Sequence, residues 1–372
     1  MDRVRTGLEL LVSAPEAGHR AGWQRVGLVT NPTGVLPDLT AAAPALLVAG
    51  VPVTTLFSPE HGLRGTAQAG GGEGDTVDPV TGLPVLDTYR RTGGDLDALV
   101  ASSGVDALVF DVCDVGARFY TYVWTMYDLM GSAARLGLRF TVLDRPNPIG
   151  GAVAEGPVLE PAYASFVGRA ALPVRHGLTP GEIAVFANRA IGAELEVVRM
   201  EGWRREWHFD RTGLPWVMPS ANMPTLDTAL VYPGTGLLEG VNAAEGRGTT
   251  RPFELVGAPY ADGRFAATLN DLGLPGVRFR DTWFTPTFGR DAGVVVRGAQ
   301  LHVTDRQAFR PVLTGVSVLH VLRTLYPGDF ACEPFLDLLW GSASLREHLE
   351  AGRDPRGLCS PPGPPHGELL YG

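Results

Sequence analysis

Short apolar runs alternate with amphipathic stretches through the first two hundred residues. The runs at 26–30, 53–57, 107–110, 140–143 and 195–198 are rich in Val, Leu and Phe and carry few polar side chains. Runs of this length and composition suit strands buried on both faces of a sheet. Between them, 41–49, 96–103 and 122–136 read as helices. In the last, apolar side chains recur at Val123, Met126, Tyr127 and Met130, the spacing of one buried helix face. Thr179-Pro180-Gly181-Glu182 has the form of a capping box with Pro at the first helical position, which predicts a helix through Ile191. This strand–helix alternation predicts an α/β protein with a parallel, doubly wound sheet.

The rhythm breaks between 202 and 259, where Trp, Pro, Gly and polar residues dominate. Beyond it, 294–296 and 301–303 read as strands, and 316–325 and 335–340 as helices. The pattern predicts a smaller C-terminal α+β domain over 251–372, after a sheet domain over 1–250. The Pro-rich tail at 360–366 cannot be regular helix or strand.

In an open parallel sheet, ligands bind beyond the carboxyl ends of the strands, and polar residues gather there in this chain. The first strand run is followed by Asn31, the second by Pro59-Glu60-His61-Gly62, the third by Asp111 and Asp114, and the fourth by Asp144 and Asn147. The sheet reading places all of them along one crevice. Two carboxylates across a glycosidic bond can protonate the leaving oxygen and stabilise the charge left on the sugar. Glu60 is the candidate proton donor, with Asp111 and Asp114 as candidates for its partner. A sugar bearing an N-acetyl group can instead use its own amide oxygen, and the residues do not choose between the two routes. His61 suits either catalysis or a hydrogen bond within its turn. The Gly-rich stretch 66–75 suits either a lid or a solvated loop. Dense polar groups also mark 219–227 and 239–251, where Glu245, Arg247 and Arg251 could supply a further acid and an anion clamp, or pair with one another.

Composition removes several classes. The formal charge is −9, which argues against nucleic acid as partner. All 31 basic residues are Arg, so no Lys-dependent covalent chemistry is open and any anionic group must meet a guanidinium. Three cysteines, Cys113, Cys332 and Cys359, give neither a disulfide framework nor a zinc spacing. No phosphate-loop or dinucleotide fingerprint follows the first strand, so no nucleotide cofactor is expected. No metal is expected either, because Glu60, His61 and Asp111 lack ligand spacing. No apolar run is long enough to cross a membrane. The N-terminal apolar stretch is interrupted by Glu9, so the sequence as written predicts a cytoplasmic protein.

Several long strings are distinctive. They include GLVTNPTG at 27–34, FSPEHGLRG at 57–65, DVCDVGARFYTY at 111–122, LDRPNPIGG at 143–151, PVRHG at 173–177, NMPTLDTALVYPG at 222–234, EGRGTTRPFE at 245–254 and QLHVTDR at 300–306. Together they resemble the NamZ-type exo-β-N-acetylmuramidase family across nearly the whole chain. The resemblance implies a Rossmann-like sheet domain, a smaller C-terminal domain and a cleft between them. It also implies release of terminal β-1,4-linked N-acetylmuramic acid from peptidoglycan-derived oligosaccharides, with the catalytic acid at Glu60. Its motifs add Arg64, Tyr120, His176 and Asn222 to the expected substrate contacts. Muramic acid carries a lactyl carboxylate that Arg118, Arg247 or Arg251 could bind through two parallel hydrogen bonds. The strings depart from the family pattern at Cys113, where Gln is usual, and at Ala221, where Pro is usual. The competing functions are a non-catalytic binder of wall fragments and a metal-dependent amidohydrolase.

Overall fold

The computed structural model describes residues 3–14, 22–359, 363–365 and 367–372. Within the Pro-rich tail, residues 360–362 and 366 lie outside the described set, while Gly363 pairs with Ala154. The expected strands are all present: β1 (Val26–Thr30), β2 (Val53–Ser58), β5 (Ala107–Asp111), β6 (Arg139–Leu143) and β9 (Glu194–Val198). The short β3 (Thr76–Val77) and β4 (Pro84–Asp87) join them in a seven-stranded sheet of order β3-β4-β2-β1-β5-β6-β9. Only β3 runs antiparallel to its neighbour.

Alternation along β5 shows why these runs are apolar throughout. Ala107 and Val109 pack on one face, against Leu8 and Leu11 of α1 (Gly7–Ser13) and Leu46 of α2 (Ala42–Val48). Leu108 and Phe110 pack on the other, against α3 (Gly93–Ser103), α4 (Tyr122–Leu136) and α5 (Pro180–Ile191). Helices on both faces make the sheet doubly wound, as expected. The capping box at Thr179 and Glu182 forms in full at the start of α5.

The segment after 202 is more regular than its sequence suggests. Residues Leu226–Thr235 form helix α6 despite Pro233 and Gly234. Its glycine is explained by α8 (Pro311–Leu325), which crosses so closely that a Cβ at Gly234 or Gly315 would strike the other helix's backbone. The contact that makes the helix worthwhile is therefore tertiary, and helix propensity alone does not reveal it.

A second, antiparallel sheet of order β10-β12-β11 comprises β10 (Leu255–Ala258), β11 (Val277–Phe284) and β12 (Val296–Val303). The two short strands expected at 294–296 and 301–303 are thus one strand, continued through Gly298, whose Cβ would collide with the backbone of β10. Helices α7 (Arg264–Asp271), α8, α9 (Phe335–Trp340) and α10 (Ser344–Glu350) complete this smaller unit, and a hairpin of β7 (Glu155–Val158) and β8 (Pro173–Arg175) lies beside it. One apolar core runs from Phe57 and Phe110 through Phe119 and Tyr232 to Leu319 and Leu345, so the two sheets share a common interior. No helix among the described residues is long and apolar enough to cross a membrane.

Candidate active site

A cavity of about 250 Å³ opens beyond the carboxyl ends of β2, β4 and β5, between the large sheet and the C-terminal unit. The Pro59-Glu60-His61-Gly62 turn brings Glu60 into its wall. Main-chain φ is +72° at His61 and +84° at Gly62, so the chain reverses sharply as it leaves β2. Both carboxylate oxygens of Glu60 are held: the Gly70 N–H donates to Oε1 at 2.7 Å and the Thr121 hydroxyl to Oε2 at 2.6 Å. The Gly-rich stretch is therefore neither a free lid nor a purely solvated loop. It is pinned to the Glu60 turn and the residues after it through Gly70 and through Glu73, which accepts from Arg64 N and Thr66, and to β4 through Asp87, which accepts from Gly74 N.

His61 Nδ1 lies 2.8 Å from the Ala67 carbonyl. A carbonyl oxygen only accepts, so Nδ1 carries the hydrogen and the ring fixes the same loop. Two other residues with left-handed backbones, Arg90 (φ +61°) and Phe253 (φ +63°), line the cavity with His61. Side chains rarely tolerate this conformation, and such positions gather at functional sites.

The closed end is aromatic. Tyr120 packs edge-on against Tyr122 and Tyr232, with ring centres 4.9 and 5.7 Å away, and Tyr232 packs on Phe253 at 4.6 Å. The hydroxyls of Tyr89 and Tyr120 and Nε of Arg247 are buried without a hydrogen-bond partner. Buried polar groups are seldom left so, and all three residues line the cavity. Burial pushes the Tyr120 phenol well above its ordinary range. Burial also raises the Tyr89 phenol, and the Glu60 carboxylate adds to the effect.

A second carboxylate, Glu239, reaches the cavity from the turn after α6, a residue the sequence reading did not single out. Arg247 joins it at 3.0 Å and joins Glu245 at 3.0 Å, with its guanidinium 4.7 Å above the Phe253 ring. Burial raises the Glu239 carboxyl above its ordinary value, Arg247 opposes the shift, and the negative charges of Glu245 and Glu60 reinforce it. About a quarter of the Glu239 side chain meets solvent. Arg247 is in turn held in its charged form by the two glutamates.

Of the residues expected at the site, the structure brings Glu60, His61, Tyr120, Asn222 and Arg247 to the cavity, with Glu245 behind Arg247. The others lie elsewhere. Asp111 is fully buried in a bidentate pair with Arg145, at 2.5 and 2.9 Å. Asp114 accepts from Gly116 N at 2.7 Å and lies 3.1 Å from His176 Nε2, while His176 Nδ1 accepts from Leu178 N. Asp144 is ringed by donors from Thr179, Gly181, Arg145 N and Tyr371. Asn147 braces Ile149 and Leu178. Asn31 orders its own turn through Thr33.

Arg118 is no anion clamp. Its guanidinium is buried and donates to the carbonyls of Pro157, Leu172 and Leu339, a cage that ties the hairpin and the C-terminal unit to the sheet. Burial lowers its pKa to about 9. Arg64 is exposed beside a shallower depression that also touches Asn31. Arg251 pairs with Glu254 at 3.1 Å and is half exposed outside the cavity. Cys113 lies beside Arg145, Pro146 and Trp216 in a separate apolar niche, its thiol pushed up to about 12 by burial. Its departure from the family pattern therefore does not alter the wall of the main cavity.

The signal that could have found Glu239 is weak. It sits in a Gly-Leu-Leu-Glu-Gly string with no strand before it, and only the short 3-10 turn Gly236–Gly240 turns it inward. Among the described residues, no group of three or more His, Cys, Asp or Glu side chains is arranged to hold a metal ion.

A doubly wound sheet joined to a smaller α+β unit, with two carboxylates in an aromatic, closed-ended cavity at strand tips, defines a glycosidase-type α/β protein. Residues 26–227 match the profile described as exo-beta-N-acetylmuramidase NamZ, N-terminal, and residues 230–360 match its C-terminal counterpart. The chain belongs to this NamZ family. It is 47% identical over 356 residues to the peptidoglycan beta-N-acetylmuramidase NamZ of Bacillus subtilis (strain 168), covering 94% of this chain and 85% of that protein. Two crystal structures of DUF1343 family proteins from Bacteroides fragilis NCTC 9343 share the fold. One has a TM-score of 0.85 at 34% identity, covering 96% of this chain and 94% of the other. The second has a TM-score of 0.74 at 27% identity, covering 95% and 92%.

Proposed function

We propose that this protein is an exo-acting glycosidase that releases terminal β-1,4-linked N-acetylmuramic acid from peptidoglycan fragments. The observation that carries this reading is the pair Glu60 and Glu239 in the wall of one cavity whose inner end is aromatic and whose wall carries the Tyr89 and Tyr120 hydroxyls. A closed end suits removal of single terminal residues, because a chain can enter by one sugar only. The family membership supports the same substrate class.

In this reading Glu60 gives a proton to the departing glycosidic oxygen. The Thr121 hydroxyl that now donates to Oε2 can turn and accept, so the carboxyl keeps its partner in both protonation states. Glu239, oriented by Arg247, presents negative charge to the sugar as its anomeric centre becomes positive. Tyr89 and Tyr120 supply hydrogen bonds to sugar oxygens.

Leaving-group dependence tests the roles. An activated nitrophenolate departs without a proton, whereas a sugar alkoxide needs one. With 4-nitrophenyl β-N-acetylmuramide, Glu60→Gln should therefore lose little. With a muramyl–N-acetylglucosamine disaccharide it should lose roughly 10²–10⁴-fold, the scale of a general acid. Glu239→Gln should lose activity on both. Release of nitrophenol from the N-acetylglucosaminide but not from the muramide would overturn the substrate assignment.

A further inference from the structure

The cavity has a closed end and an open end, and their chemistry differs. Met223, Tyr232 and Phe253 line the closed end and are almost fully buried. At the mouth, Arg90 is exposed and Phe166 is 37% exposed. The Arg90 guanidinium lies 5.2 Å from the Tyr89 ring centre and 5.7 Å from that of Phe166, and Phe166 stacks on Phe335 at 6.1 Å with 13° between the planes. Its neighbours are neutralised, Arg91 by Asp95 and Arg169 by Asp128. Arg90 itself enters no ion pair among the described residues, and Arg247, the other guanidinium lining the cavity, is held by two glutamates. The Arg90 backbone adopts the left-handed conformation that favours glycine, yet the position carries a long cationic side chain. Arg90 Nη2 also lies 4.0 Å from where a Cβ on Gly70 would sit, and Gly70 is the residue whose N–H holds Glu60. The guanidinium, without a carboxylate partner, thus stands beside the Gly70 segment that holds the proton donor.

We infer that Arg90 is a specificity-determining residue for the departing side of the substrate, favouring glycans whose leaving portion bears a carboxylate. This rests on the muramidase reading. The terminal sugar occupies the closed end and the bond to be cleaved lies at Glu60, so the rest of the glycan leaves past Arg90. The stacked face of Phe166 and Phe335 supports the apolar face of the departing amino sugar. The exposed guanidinium then meets the lactyl carboxylate of the next muramic acid, a contact that Arg makes with two parallel hydrogen bonds.

The test compares kcat/KM for the muramyl–N-acetylglucosamine disaccharide with that for the tetrasaccharide of two such units, at low salt and at high salt. Wild-type protein should favour the tetrasaccharide by about tenfold, the size of one charge-assisted contact. The preference should lie mainly in KM and shrink as salt screens the partly exposed charge. In Arg90→Gln, tetrasaccharide hydrolysis should fall about tenfold further than disaccharide hydrolysis, for the same lost contact. Arg90→Gly, which relieves the left-handed backbone, should show the same kinetics and melt no lower than wild type, so it decides the matter if Arg90→Gln folds poorly. Equal losses on both glycans, or a tetrasaccharide preference indifferent to salt, would overturn the assignment. Wild-type protein that cleaves neither glycan would instead overturn the muramidase reading, and this assignment with it.

Discussion

Asp111, Asp114 and Asp144 sit at the tips of β5 and β6, whereas Glu60 and Glu239 face the cavity, and the two groups have opposite surroundings. Asp111 and Asp144 are enclosed by donors from the protein itself: Arg145 on Asp111, and Arg145 N, the start of α5 and Tyr371 on Asp144. Asp114 is equally buried, taking Gly116 N on one oxygen and lying beside His176. Each cavity acid keeps a face toward space that a ligand can enter. A carboxylate whose acceptor sites are filled by the fold serves as a structural tie. One held at its edges and open at its front can act on a substrate. Position at a strand tip does not separate them: Glu60 follows β2 much as Asp111 ends β5 and Asp144 follows β6, and Glu239 follows no strand at all.

Exchanging the roles gives the largest expected effects. Glu60→Gln should cost roughly 10²–10⁴-fold in turnover of natural glycan, with the melting temperature nearly unchanged because the amide can replace both hydrogen bonds. Asp111→Ala should do the reverse. It leaves Arg145 buried and unpaired, which should cost roughly 3–5 kcal/mol of stability in urea denaturation. An Asp111→Ala protein as stable as wild type would erase the distinction between structural and chemical acids.

A finer probe is the Asp144–Tyr371 bond. Burial raises Asp144 to about 6. A carboxyl raised above its unfolded value contributes stability that is full below about pH 4 and lost as pH rises through about 6. The phenol of Tyr371 donates at 2.5 Å and works against that loss by favouring the ionised form. Tyr371→Phe should therefore destabilise by about 1.5–3 kcal/mol at pH 8, where the bond is charge-assisted, and by about 0.5–1.5 kcal/mol at pH 5. Equal losses at both pH values would mean that Asp144 does not titrate between them. The smallest effect should come from Arg251→Ala. That half-exposed pair with Glu254 should be worth about 0–1 kcal/mol, and glycan hydrolysis should not depend on it.

Legibility in the sequence follows how far apart the deciding contacts lie. The five principal strands, the doubly wound arrangement, the capping box and the helices α4 and α9 were readable because each depends on a few consecutive side chains. Glu60 was readable because its turn follows a strand and carries its own Pro and Gly. Helix α6 was hidden because Gly234 makes sense only against Gly315, and β12 was split by Gly298, whose reason is the backbone of β10. Glu239 opens the polar stretch 239–251, yet no preceding strand and no spacing sets it apart from Glu245.

The sequence by itself determined where the five principal strands and the helices between them lie, and that acids and amides would cluster at one edge of the sheet, since hydrophobic period and capping act within a turn or two of the chain. Only the tertiary structure decided which of those acids would meet a substrate. Asp111 is filled by a side chain 34 residues away and Asp144 by one 227 residues away. Such partners are chosen by packing, because a buried charge must be matched by whatever donor the fold brings beside it, wherever that donor stands in the chain.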